Sequence, residues 1–230
     1  MKWIIFFCIQ IPLFVFSQTN FEKGQKLFKE GKFTSAQPFF ENYLKENTSN
    51  LQTIEYLGDI HGNLKNWDKA LFYYNQLKKI KPTEANYYYK YGGVLGMKAK
   101  ESNAFLALKM IGDVKAAFEK AIQLNPKHIE ARWALIEIYL QLPGIVGGSE
   151  RKANGYSNEL FQLSPVDGYL SKGRIAEYFE RYKEAEKQYK LAFELGHSKV
   201  TFQKLYNLYL NKLKDNDKAS KLKLEFEKNN

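Results

Sequence analysis

The fold is decided by one stretch of the sequence, Leu51 to Glu84, which reads LQTIEYLGDIHGNLKNWDKALFYYNQLKKIKPTE. Small and apolar residues stand in it where two packed helices would need them, at Leu57, Gly58, Ala70, Tyr74 and Leu77. Gly58 and Ala70 would let the helices approach closely, whereas Tyr74 and Leu77 would fill the space beside them. Pro82 then ends the second helix, because proline has no N–H to donate. The stretch predicts a helix-turn-helix unit.

The same skeleton recurs along the whole chain after its first residues. We predict six consecutive units, with bounds near 18–50, 51–84, 85–128, 129–165, 166–199 and 200–230. The last unit ends in a charged tail, which suits a capping helix. The third unit holds extra residues at 98–109 and the fourth at 143–149.

This pattern resembles the tetratricopeptide repeat (TPR), a unit of two helices and about 34 residues. The resemblance implies an all-α fold, a right-handed α-solenoid of about six TPR helix-turn-helix units, two of them with insertions. The Pro143-Gly-Ile-Val-Gly-Gly-Ser149 turn is similar to one found in a group of exported bacterial members. For function, the resemblance implies a non-catalytic protein-protein interaction scaffold, by analogy at the level of the fold.

The first residues differ from the rest of the chain and predict a signal peptide over 1–17. Lys2 supplies a positive start, Trp3 to Phe16 is almost wholly apolar, and Ser17 offers the small residue that a signal peptidase requires. The apolar run is shorter than the roughly 20 residues of a membrane span. We therefore expect export to the periplasm or cell envelope after cleavage near Ser17, with a retained anchor as the alternative. Cys8 is the single cysteine and would leave with the leader.

In tetratricopeptide arrays the first helix of each unit lines a concave groove. The resemblance therefore assigns a peptide-binding groove to eight residues in particular: Glu55, Asp59, Asn63, Tyr89, Met97, Trp133, Glu137 and Arg174. The full groove face of the first helices also includes Gly93 and Gln141, and it holds six carboxylates against one arginine: Glu55, Asp59, Glu130, Glu137, Asp167 and Glu177 against Arg174. The whole chain, by contrast, has a net charge of +10. This contrast suggests a protein or peptide partner that is basic, with Tyr89 and Trp133 as aromatic anchors. The alternative is that these two rings pack between repeats.

The two insertions are of special interest, because departures from a regular repeat often mark where a solenoid is specialised. Ala104 to Leu108 is apolar enough to form an extra helical turn, or else a docking patch. In the other insertion, Ser149 is predicted to cap the following helix.

No residue pattern in the chain predicts catalysis, a cofactor or a metal. The glycine-rich stretch 144–149 lacks the Gly-Lys-Ser/Thr ending of a phosphate-binding loop. The histidines, His61, His128 and His197, fall in different repeats, so we expect no metal site.

Two other functions compete with that of a scaffold. The first is binding of an anionic envelope polymer or membrane surface through the basic face. The second is an enzyme with a site near the inserted loops. A nucleic-acid partner is not expected, since no motif of basic and aromatic residues is present.

Overall fold

The computed structural model describes residues 19–228, and this part of the chain is helical throughout, without a strand. The α-helices are α1 (Asn20–Lys29), α2 (Phe33–Glu46), α3 (Leu51–Asn63), α4 (Trp67–Ile80), α5 (Ala85–Glu101), α6 (Ala104–Leu124), α7 (Ile129–Gln141), α8 (Glu150–Leu163), α9 (Pro165–Tyr178), α10 (Tyr182–Gly196), α11 (Lys199–Asn207) and α12 (Asn216–Lys228). A 3-10 turn, Gly144–Val146, precedes α8, and a π-helix, Leu208–Leu213, continues α11. The predicted all-α fold class is confirmed.

The chain divides into two compact units, the first ending at Asn66 and the second beginning at Trp67. In the first unit α1 packs on α2, and α2 packs on α3. In the second unit successive helices pack on one another from α4 to α11, and α12 closes the series against α11 and the π-helix.

The core of the first unit is a cluster of aromatic rings. Phe40 is fully buried, and its ring stacks on Tyr56 with the centroids 4.6 Å apart. A Cβ on Gly24 would lie 3.0 Å from the Phe40 ring, so α1 carries a glycine where the ring of α2 needs room. Phe21 completes the cluster. Its ring meets that of Phe40 in an edge-to-face arrangement, with the two ring centroids 5.8 Å apart. Aromatic pairs of this kind add to the stability gained from burial alone.

The same combination of a small residue and a large ring joins α9 to α10 in the second unit. Tyr189 is fully buried, and a Cβ on Gly173 would lie 2.4 Å from two of its ring carbons. The hydroxyl of Tyr189 donates a hydrogen bond of 2.8 Å to Glu177. This bond satisfies a polar atom that would otherwise be buried without a partner.

The insertion predicted at 98–109 lengthens two helices. α5 has 17 residues and α6 has 21, compared with 13 for α3 and 14 for α4. Only Ser102 and Asn103 lie between α5 and α6, and Asn103 caps α6 by accepting from the N–H of Leu106 at 3.0 Å. The segment is rich in good helix formers and contains no proline, which explains why it stays helical. Ala104 to Leu108 therefore forms the first turn of α6.

The insertion at 143–149 forms a tight turn before α8. Gly147 adopts a left-handed conformation with φ of 94°, and a Cβ on Gly148 would lie 1.8 Å from the carbonyl oxygen of Leu142. Both positions thus require glycine. Ser149 then accepts a hydrogen bond of 3.2 Å from the N–H of Lys152, and its predicted role as an N-cap is confirmed.

Two predictions concern the membrane and the leader. Among the helices formed by residues 19–228, none combines the length and the apolar composition needed for a membrane span. The signal peptide predicted over 1–17, and Cys8 within it, lie outside the described residues.

Gly173→Ala should lower the free energy of unfolding by about 1–3 kcal/mol, since the new methyl group would overlap the immobile ring of Tyr189. The matched control is Gly155→Ala on α8, where nothing lies within 4 Å of an added Cβ. That variant should gain about 0.5–1 kcal/mol, because alanine favours the helix over glycine. Thermal and urea unfolding followed by circular dichroism would measure both. A Gly173→Ala protein as stable as the parent would show that the close approach is not required.

Candidate functional site

The residues assigned to the groove in the first unit share one face of α3. Glu55, Asp59 and Asn63 follow one another at intervals of four residues, which places them on successive turns. The side-chain amide of Asn63 donates a hydrogen bond of 2.9 Å to the backbone carbonyl of Asp59. α3 therefore presents a short polar stripe, as its sequence indicates.

In the second unit, Trp133 ties one repeat to the next. Its indole Nε1 donates a hydrogen bond of 2.8 Å to Asp167 Oδ1, which joins α7 to α9. The other oxygen of Asp167 accepts from the hydroxyl of Ser164 at 2.6 Å. Trp133 is half-buried and packs against both hydrophobic clusters of this unit, so it serves the packing between repeats.

Glu137 and Arg174 form a second link between α7 and α9. The guanidinium donates two hydrogen bonds, Nε to Oε1 at 2.8 Å and Nη2 to Oε2 at 2.9 Å. Burial by itself would raise the pKa of Glu137, but the hydrogen bonds and charge of Arg174 outweigh it and hold that pKa below its ordinary value. Both side chains are thus charged at neutral pH, and each is the partner of the other.

Three of the carboxylates counted in the predicted groove have partners inside the second unit. Besides Glu137 and Asp167, Glu177 accepts from the hydroxyl of Tyr189 at 2.8 Å. A basic ligand would have to compete with these contacts. The negative charge available to such a ligand is smaller than the composition of the helices suggests.

Tyr89 lies at a polar depression of about 410 Å³ near the start of α5 and α7. Its ring contacts that of His128, with centroids 4.9 Å apart. Burial lowers the pKa of His128, and the nearby Glu130 only partly offsets this. The neutral imidazole can then cap α7 by accepting from the N–H of Ala131 at 3.3 Å.

A larger, apolar pocket of about 620 Å³ lies where the two insertions meet. Its walls are formed by α5, the lengthened start of α6, α7 and the turn before α8. Residues from each of these elements line it, among them Gly93, Met97, Ala107, Ile111, Ile138 and Val146. Of the predicted groove residues, this pocket therefore includes Met97 and not the other seven.

Two large apolar side chains that line this pocket are exposed to solvent. Met97 on α5 is 43% exposed and Leu108 on α6 is 48% exposed. Phe105 and Ile145 are more exposed, but they are only neighbours in sequence of lining residues and do not line the pocket themselves. Apolar side chains gathered in this way on a surface mark a binding site, because water is displaced favourably when a partner covers them.

The chemistry available in this pocket is that of binding. Lys100 and Gln141 supply the polar side chains among the residues that line it. General acid-base catalysis requires groups that donate and accept protons at one point. Within residues 19–228, no three side chains of histidine, cysteine, aspartate or glutamate gather as a metal would need.

Sequence reasoning identified part of this pocket and missed the rest. Gly93, Met97 and Gln141 fall on the groove face of the first helices, and Ala104 to Leu108 was one of the two segments of special interest. Ile111 and Val114 on α6 and Ile138 on α7 carry no signal that separates them from core residues. Their position became visible only with the lengths of α5 and α6.

Comparison with known proteins supports the assignment of the repeat. Residues 57–84 match the family model of the tetratricopeptide repeat. A comparison with curated protein sequences found no match.

Several solved structures are similar to this chain. TTC0263, a thermophilic TPR protein of Thermus thermophilus, has a TM-score of 0.66 at 17% identity, over 83% of this chain and 97% of its own. PilF of Pseudomonas aeruginosa has a TM-score of 0.61 at 16% identity, over 91% and 89%. YrrB, described as a TPR protein with an unusual peptide-binding site, has a TM-score of 0.51 at 15% identity, over 77% and 85%. The α-solenoid class built from TPR units is confirmed.

Glu137→Gln tests the link between α7 and α9 through its dependence on pH. Because the folded-state pKa of Glu137 is lowered, its charge stabilises the protein above the unfolded-state pKa of about 4.3, and this stability is lost as pH falls through the folded-state value. The variant should therefore have a lower Tm than the parent at pH 7, and the difference should shrink below about pH 4.

The control for this experiment is Glu119→Gln on α6, whose carboxylate is exposed and forms no ion pair with a described residue. Its Tm should follow that of the parent across the same range. A constant difference between Glu137→Gln and the parent from pH 7 to pH 3 would contradict a stabilising ion pair.

Proposed function

We propose that this chain is a non-catalytic scaffold that binds a segment of another protein in the apolar pocket between α5, α6, α7 and the turn before α8. The fold supports a scaffold, because tetratricopeptide proteins in general bind protein or peptide partners. The peptide-binding site described for YrrB is consistent with this use of the fold.

The observation that carries the proposal is the combination of an open apolar pocket with exposed apolar side chains around it. A volume of about 620 Å³ falls in the usual range of binding sites. Each large apolar side chain that a partner buries contributes on the order of 1.5–3 kcal/mol. Met97 and Leu108 line the pocket with exposed apolar side chains that such a partner would bury.

The composition of the pocket favours binding over an enzyme near the inserted loops. An enzyme would need polar groups aimed at a reacting atom, and Lys100 is isolated among apolar neighbours. We also propose that the protein acts in the periplasm or cell envelope, on the basis of Lys2, the apolar run Trp3 to Phe16 and Ser17.

Site-specific photo-crosslinking in the native cells tests this proposal. Leu108, which lines the pocket and is 48% exposed, would be replaced by the photoreactive residue p-benzoylphenylalanine. The matched control is the same replacement at Phe72 on α4, which is 58% exposed and does not line the pocket. Light should join a partner protein to position 108 and not to position 72.

A second pair of variants checks that the pocket itself is used. Gly93 lines the pocket and Gly112 does not, and an added Cβ would meet nothing within 4 Å at either position. Gly93→Phe should fill the pocket and abolish crosslinking from position 108, whereas Gly112→Phe should leave it unchanged. Identical adducts from positions 72 and 108, or adducts that persist with Gly93→Phe, would refute the proposal.

A further inference from the structure

The pocket has a positive margin of two lysines. Lys100 lines it, and Lys115 Nζ would lie 3.3 Å from a Cβ on Gly147, next in sequence to the lining residue Val146. Neither lysine forms an ion pair with a residue in the range 19–228. No carboxylate lines the pocket beside them.

The carboxylates near this margin act on other groups. Asp68 is bound to Lys98, and Glu101 accepts a hydrogen bond of 2.8 Å from the indole of Trp67. Asp113 acts on Lys78 and Tyr91, and Glu119 acts on Tyr139 and Tyr156. A partner that covers the pocket thus meets the positive charges of Lys100 and Lys115, and its complement in charge is a set of carboxylates.

The floor of the pocket is unusually bare of side chains. Gly92, Gly93 and Gly96 on α5 line it together with Ala104 and Ala107 on α6. An added Cβ would meet nothing within 4 Å at Gly93, and only Val114 at 3.5 Å at Gly96. Space at these positions is open to bulky side chains from a partner.

The walls also limit which backbone conformation a partner can adopt. They are helices, whose N–H and C=O groups are already bonded within each helix, and the lining offers only Lys100 and Gln141 as polar side chains. An extended segment would leave its own backbone groups without partners in an apolar site, which is costly. A helix satisfies its backbone internally and can insert side chains from one face.

We infer that the occupant of this pocket is an amphipathic α-helix of a partner protein, with large apolar residues on one face and carboxylates beside them. This inference rests on the proposed function and specifies its partner. The helix would insert apolar anchors at i, i+3 or i+4 and i+7 over the glycines of α5. Its carboxylates would approach Lys100 and Lys115.

Fluorescence anisotropy with defined peptides and the full chain tests the inference. The probe is a short labelled peptide with leucines at i, i+3, i+4 and i+7 and glutamates on the flanking positions. Two matched probes carry lysines in place of the glutamates, or two prolines in the middle of the same sequence. The wild-type protein should bind the acidic helix at least about tenfold more tightly than either of the others.

Charge reversal provides the decisive comparison. The double variant Lys100→Glu and Lys115→Glu should reverse the preference, so that the lysine-flanked helix binds more tightly. The matched control reverses two exposed lysines away from the pocket, Lys69→Glu and Lys187→Glu, and should keep the parent's preference. Gly93→Phe should abolish binding of every probe.

Several outcomes would overturn the inference. Equal binding of the glutamate and lysine probes would show that the margin does not select charge, and equal binding of the proline probe would show that a helix is not required. In either case crosslinking from position 108 that Gly93→Phe abolishes would still uphold the proposed function. Binding of phosphatidylglycerol vesicles through the pocket, without binding of any peptide, would identify a lipid as the occupant. Concentration-dependent dimers that Gly93→Phe abolishes would identify a second copy of the chain.

Discussion

The packing of an aromatic ring against a residue with little or no side chain is the constraint on which this structure depends. Gly24 makes room for Phe40 in the first unit, and Gly173 makes room for Tyr189 in the second. In both pairs the ring is fully buried because the facing helix brings its backbone close to it. A larger residue would separate the helices and expose the ring, so each pair depends on a single small position.

The candidate site exists because the third pair of helices is longer than its neighbours. α5 and α6 carry extra turns at the end where they join, whereas α4 and α7 keep the usual length. The added turn of α6 is apolar and leaves Phe105, Leu106 and Leu108 exposed. The turn before α8 completes the wall of the pocket. Two departures from the repeat thus act together, although 33 residues of sequence separate the insertion at 98–109 from the insertion at 143–149.

The fold could be predicted from the sequence because the repeat places the same residue types at the same intervals. Leu57, Ala70, Tyr74 and Leu77 are all buried, as their pattern indicates. Ser149 was identified as a cap because a serine before a helical segment has few other roles. By contrast, the sequence left Ala104 to Leu108 as either a helical turn or a docking patch; the helical turn is confirmed, and docking stays a prediction.

The candidate site was harder to predict, for a physical reason. A count of carboxylates on the first helices indicates an acidic groove, but it cannot show that Glu137 is bound to Arg174 or Asp167 to Trp133. The sequence did carry a signal for the pair of Trp133 and Asp167, since these residues are 34 positions apart, which is one repeat. Residues at that interval stand side by side on adjacent first helices. The pocket depends instead on helix lengths, which no single residue specifies.

The two links between α7 and α9 bear on how the second unit responds to force and to fluctuations. In a repeat protein, cooperativity grows with the coupling between neighbouring repeats relative to the intrinsic stability of each. The indole of Trp133 and the guanidinium of Arg174 both strengthen this coupling at one junction. The helices from α7 to α10 should consequently open as a single block, and not one after another. α7 also forms a wall of the apolar pocket, so a helix bound there would contact a rigid surface on that side.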